Sequence, residues 1–409
     1  MAPELVTPES VGIDSGQIAR VGEHLRKRYV DPGKIPGSIA LVARHGRVCY
    51  LDVAGARDVE RGTPMTEDTI VRVYSMTKPV TSVALMMLCE RGLFSLDDPV
   101  HRYIPAWKKL RVRKAGSHPL FLTVPCERPM TIRDLCMHTS GLTYDFMHET
   151  NLDAAYRELG VGLPRRGYTL QQMIDQLAAL PLEFSPGERW NYSLATDVLG
   201  YLIEVISGRS LPDFMREALF EPLGMTDTSF EIPPDKVGRL ASCYERNLQK
   251  EMVLQDDCRD SHFAARTFWS GGGGLLSTVG DYYRFCQMLL NGGTLDGRRV
   301  IGSRTLRFMS RNHLRGGLDM AQFATGSFSE TAYEGVGFGL GFANKVDPVR
   351  NGFPGSEGSY FWGGLASTLF WVDPREDMVV VFLTQLIPSR TFNFRGQLEN
   401  IIYAALQPD

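Results

Sequence analysis

The spacing of apolar positions changes several times along the 409-residue chain, and each change marks an element. Asp14-Ser15-Gly16-Gln17 has a capping aspartate with a glutamine three residues on, which predicts a helix to about Tyr29. Ile18, Val21, Leu25 and Tyr29 would share its buried face. The runs 38–43 and 48–51 are rich in β-formers and flank His45-Gly46, the pattern of a hairpin. Tyr74-Ser75-Met76-Thr77-Lys78 then leads into Pro79 to Leu88, which is apolar nearly all round and reads as a helix buried in a core. Pro79 is tolerated only in a first turn, so that helix starts close to Ser75, and Arg91-Gly92 predicts its end.

From Leu96 to about Pro233 the pattern becomes short helices with loops. Helices are predicted after Thr131 and Thr169, over 195–206 with Gly208 behind, and after Ser210, where Pro212 lies in the first turn. Residues 234–266 are polar and poorly periodic, which suggests a long connection. Strand signals return at 360–362, 366–372 and 378–384, and a last helix is predicted over about 394–406. Early and late strands around a helical middle imply an α/β (α+β) chain. One discontinuous domain would span 1–95 and 267–409, with a mostly helical second lobe over 96–266. A cleft is expected at the seam.

Composition narrows the function classes. The net charge is −3 with no basic stripe, which argues against nucleic acid as a partner. Seven scattered cysteines (Cys49, Cys89, Cys126, Cys136, Cys243, Cys258, Cys286) without C-x-x-C suit free thiols in a reducing compartment. The N-terminus lacks the basic start and apolar core of a signal peptide, and no membrane-spanning run is present, so the expected location is cytoplasmic. The eight histidines show no metal-ligand spacing, so neither a metal nor another cofactor is expected. No G-x-S-x-G occurs, which argues against a nucleophile elbow, and Gly271-Gly272-Gly273-Gly274 lacks the rest of a phosphate loop. That glycine run reads as a flexible segment near the cleft. Oligomeric state is left open.

Ser75 and Lys78 stand three apart on one helical face, the spacing of an amine that activates a hydroxyl. Alone, the pair more often marks a helix start with a solvated lysine. Three more stretches add weight: His138-Thr139-Ser140-Gly141-Leu142, Trp190-Asn191-Tyr192-Ser193-Leu194, and 355–364 ending in Trp362-Gly363-Gly364. In that order these motifs resemble the serine β-lactamase and penicillin-binding-protein superfamily. Within it the chain is most similar to class C β-lactamases and the family VIII carboxylesterases, from about residue 10 to 405.

The resemblance implies a β-lactamase-like fold, an antiparallel sheet flanked by helices. It makes Ser75 the nucleophile, with Lys78 and Tyr192 as the base system and Tyr192 able to act as a phenolate beside the ammonium. The backbone N–H groups of Ser75 and Leu365 would form the oxyanion hole. It places Tyr144, Leu194, Trp362, Gly363 and Gly364 at the substrate, although Tyr144 could be a simple loop contact and Trp362 a core aromatic. His138 belongs to a structural turn. The chain departs from the β-lactamase pattern where Leu194 replaces an amide and Trp362 replaces a lysine. Both changes favour neutral esters over anionic lactams. The expected activity is therefore a carboxylesterase acting on short-chain acyl esters. A β-lactamase or D-amino acid peptidase, an acyltransferase, and an acylated sensor module are the alternatives.

Overall fold

The β-rich runs at the two ends of the chain build a single sheet. In the computed structural model, which describes residues 4–163, 167–326 and 330–407, the early strands are β1 (Gly37–Arg44), β2 (Arg47–Asp58) and β3 (Thr63–Pro64). The late strands are β4 (Val336–Phe338), β5 (Ala343–Lys345), β6 (Tyr360–Gly364), β7 (Thr368–Asp373) and β8 (Met378–Leu383). They form an eight-stranded sheet in the order β4-β5-β6-β7-β8-β1-β2-β3. Every pairing in it is antiparallel. Ile39 opposite Leu383 joins the first third of the chain to its end.

All residues of β1, β7 and β8 are buried, as near-continuous apolar runs predict. Four helices matter to the site: α1 (Thr77–Glu90), α2 (Ala195–Ser207), α3 (Val279–Leu290) and α4 (Phe394–Tyr403). Tyr282 of α3 meets Phe370, which pairs with Val381, at 5.2 Å. Phe382, one residue on and therefore facing the other way, meets Phe394 of α4 at 4.9 Å. Helices thus cover both faces. Helix α1 packs on α2. No helix among the described residues is long and apolar enough to cross a membrane.

Several predicted elements form close to their expected positions. The Asp14 side chain accepts from Gln17 N at 2.7 Å, and helix runs through Ser15–Ile18 and Arg20–Leu25 into a π turn at Arg26–Val30. His45 and Gly46 make the hairpin turn with φ of 54° and 71°. Arg91 caps α1, and Gly92 follows with φ 71°. Other elements differ from the sequence reading. The mostly helical middle also contains a hairpin of Arg111–Ser117 and Leu120–Pro125. It is exposed on both faces, so no buried face imposed a period-2 pattern. The polar 234–266 segment carries strands Cys243–Arg246 and Met252–Asp256, and the first pairs in parallel with Leu386–Ile387.

Candidate active site

A chain reversal just before α1 sets the position of Ser75. Val71–Arg72 pairs with Leu276–Ser277, and Tyr74–Met76 forms a 3-10 turn running straight into α1. Pro79 therefore sits in the first α-turn, where its missing N–H is harmless. Tyr74 has φ 41°, a left-handed conformation costing a non-glycine residue about 1–2 kcal/mol. The strain is held by its surroundings. Arg72 is fully buried and donates to Asp256 Oδ2 at 2.7 Å and Ser261 Oγ at 3.0 Å, while Gln385 Nε2 donates to Arg72 O at 3.0 Å. Burial would raise the Asp256 carboxyl, but His262, Arg72 and Ser261 outweigh it and hold it at about 2. The polar 234–266 segment thus anchors the strand that leads to Ser75.

Lys78 Nζ lies 3.1 Å from Ser75 Oγ and donates to Gly272 O at 2.8 Å. It sits over the Tyr192 ring at 4.6 Å and the Tyr144 ring at 5.2 Å. Burial lowers the Lys78 ammonium to about 8, although the carboxylates of Asp197 and Glu330 oppose the shift. Tyr192 is fully buried, and burial, with the charge of Glu330, pushes its phenol well above 10. The Ser75 hydroxyl and the Trp362 side chain act the other way and do not overcome it. The resting pair is consequently a lysine that can lose its proton near neutrality and a tyrosine that keeps its own. The sequence left open which of the two is the resting base; burial outweighs the polar neighbours of Tyr192 and works against its phenolate.

An aromatic cluster fixes Tyr192. Its ring stacks on Trp190 at 6.1 Å and 8°, and packs against His138 at 5.1 Å and Trp362 at 5.6 Å. His138 has φ 57°, its Nδ1 is 3.2 Å from Ser193 Oγ, and burial drives its imidazole well below 6.5. It stays neutral and braces the turn.

A cavity of about 200 Å³ opens on Ser75. Tyr144, Leu194 and Leu365 line it with Ser75, as does the wall Phe146, Leu163 and Phe268. Lys78, Tyr192 and Trp362 are not part of this lining, and Gly363 borders a neighbouring cavity of about 340 Å³ instead. Gly364 serves a different purpose from the one expected. A Cβ there would overlap Val73 O and Thr368 Oγ1, so this glycine lets β6 touch the turn that carries Ser75. We expect Gly364→Ala to cost about 1–3 kcal/mol by overpacking and to depress ester turnover. Gly363→Ala, whose Cβ meets nothing closer than 3.2 Å, should cost less. Thermal melts of the two variants check this, and equal losses would contradict it.

Sequence reasoning missed Asp197, Glu330 and the role of the glycine run. Asp197 is buried, accepts from Gly272 N at 3.1 Å and from Ser270 Oγ at 2.5 Å, and so holds the loop whose carbonyl orients Lys78. Burial raises its carboxyl and Lys78 pulls it back. Burial likewise raises Glu330, against Ser389, Lys78 and Arg395. Gly271-Gly272-Gly273-Gly274 is a close-packed wall: a Cβ on Gly272 would overlap the Asp197 carboxylate. Asp197 follows Tyr192 by five residues, a signal that was present but had no partner until the loop was placed.

All seven cysteines are free. Among the described residues only Asp58, Asp257 and Cys258 group as metal ligands would. Arg61 bonds both carboxylates, at 2.5 and 2.7 Å, and the group does not line the Ser75 cavity.

A buried serine and lysine on a helix beside a large antiparallel sheet define a serine hydrolase of β-lactamase-like fold. The chain belongs to the beta-lactamase family, whose model matches residues 23–400. It is 35% identical to protein Rv1367c of Mycobacterium tuberculosis (strain ATCC 25618 / H37Rv), over 89% of each chain. It is 31% identical to esterase EstB of Burkholderia gladioli, over 94% of each. The structure matches EstCE1, described as a hydrolase with promiscuous acyltransferase activity, with a TM-score of 0.79 at 27% identity. That match covers 98% of this chain and 99% of the other.

Proposed function

We propose that the protein is a carboxylesterase that hydrolyses short-chain acyl esters through an acyl-enzyme on Ser75. The observation that carries this reading is Lys78 Nζ at 3.1 Å from Ser75 Oγ, at the base of a small cavity with an apolar wall. Neutral Lys78 takes the serine proton as Oγ attacks the ester carbonyl. The backbone N–H groups of Ser75 and Leu365 receive the oxyanion. Tyr192, a neutral phenol beside Lys78, passes the proton to the leaving alkoxide, and the alcohol departs. Water then attacks the acyl-enzyme with the same groups reversed.

Leu194 supports esters over β-lactams, since it brings a hydrocarbon side chain to the cavity where a lactam would need an amide. Transfer to an alcohol uses the same intermediate, and EstCE1 combines both activities in its description. The free thiols suit a reducing compartment.

The test is a panel of p-nitrophenyl esters from acetate upward, with nitrocefin beside them and intact mass measured after acid quench. We expect faster turnover of short esters than of nitrocefin, and a transient acyl adduct on the Ser75 peptide. Faster nitrocefin turnover would favour the β-lactamase reading, and an adduct that persists would favour a sensor. New ester formed from added alcohol would identify a transferase.

A further inference from the structure

The Ser75 cavity holds a cation that the mechanism leaves unused. Arg266 lines it, on the rim segment that also brings His262, Phe268 and Ser270 to the opening. Its guanidinium lies flat over the Phe263 ring, with Cζ 3.3 Å from the centroid. Among the described residues its hydrogen bond is a long one to Gly274 O at 3.4 Å, its Nε is buried without a partner, and no carboxylate forms an ion pair with it. Burial lowers it only to about 10, so it stays charged at neutral pH. Arginine presents five donors in a planar fork suited to a carboxylate, and burying such donors unpaired is costly.

The acids that share the cavity do not neutralise it. Asp197 is committed to Ser270 and Gly272, and Glu330 acts with Lys78 and Ser389. Asp145 also borders the cavity, where burial raises its carboxyl toward the neutral form. Asp256 and Glu231 act on Arg266 only through their charge, and Asp256 is held by Arg72 and by His262, whose Nδ1 is 3.4 Å away. An apolar wall with one unpaired cation fits a chain that is hydrocarbon along its length and anionic at its end. About 200 Å³ accommodates a short acyl group, which remains on the serine after the alcohol has left.

We propose that Arg266 binds the distal carboxylate of the acyl chain, so that half-esters of short dicarboxylic acids are the preferred substrate class. This rests on the acyl-enzyme reading above, and it replaces the neutral acyl group expected from sequence with one that carries an anionic tail.

The experiment compares monoethyl glutarate with ethyl valerate, followed by proton release, in wild type, Arg266→Met and Arg266→Lys. The wild type should prefer the glutarate, with a KM that rises with salt for the glutarate alone. Arg266→Met should lower the glutarate-to-valerate ratio of kcat/KM by ~10- to 100-fold, mainly through KM, the range of a charged hydrogen bond. Arg266→Lys should recover part of the loss. An unchanged ratio in Arg266→Met, with or without a fall in melting temperature, would make Arg266 a packing residue and overturn the proposal. So would a wild-type preference for valerate without salt dependence, a result that does not require any variant to fold. Ser75→Ala separates the two readings: hydrolysis of both esters retained in it would sink the acyl-enzyme, whereas loss of both in Ser75→Ala together with an unchanged ratio in Arg266→Met sinks only the role of Arg266.

Discussion

Ser75→Ala is expected to lower kcat for p-nitrophenyl acetate on the order of 10⁴- to 10⁶-fold, the range seen when a serine hydrolase loses its nucleophile. Oγ is the atom that Lys78 Nζ approaches at 3.1 Å. Melting temperature should move little, because alanine keeps the Cβ and gives up only the hydroxyl that Lys78 approaches. KM should change little, since the cavity wall of Phe146, Leu163 and Phe268 is untouched. A variant that retains the wild-type rate would remove Ser75 from the chemistry.

The second large effect is at Lys78. Lys78→Met fills the same space with an uncharged chain, and kcat should fall ~10²- to 10⁴-fold, the usual worth of a positioned general base. The pH profile gives an independent reading of the same group. With the ammonium lowered to about 8, roughly one tenth of Lys78 is neutral at pH 7. The rate should therefore climb with pH by nearly tenfold per unit below 7 and flatten above about 8. Tyr192, pushed well above 10, does not titrate in that interval. Asp197 raises the lysine through its charge, so Asp197→Asn should move the inflection to lower pH. A wild-type profile that is flat between pH 6 and 9 would rule out neutral Lys78 as the base.

Much of the fold could be read from the chain because burial imposes a period. The runs that became β1, β7 and β8 are buried throughout and were visible as apolar stretches. Caps were equally plain: Thr131 and Thr169 each close a capping box, with Asp134 and Gln172. What escaped had no buried face to reveal it, as in the hairpin 111–125, or was polar for a reason that lay elsewhere in the chain. The segment 234–266 looks like a connection until Asp256 is seen against Arg72, 184 residues away in sequence.

The sequence alone determined the candidate nucleophile and its neighbours. Ser75 and Lys78 are local, fixed by one helical turn, and the motifs around Tyr192 and Trp362-Gly363-Gly364 were recognisable as short strings. Only the tertiary structure decided how those groups are charged and which others join them. Burial, which belongs to the packed chain, lowers Lys78 and raises Tyr192. Asp197, Gly272 and Glu330 reach Lys78 from three separate parts of the chain, and Arg266 reaches the cavity from a fourth. A side chain's protonation and its unmet hydrogen bonds depend on what surrounds it, and those surroundings exist only once the chain has folded.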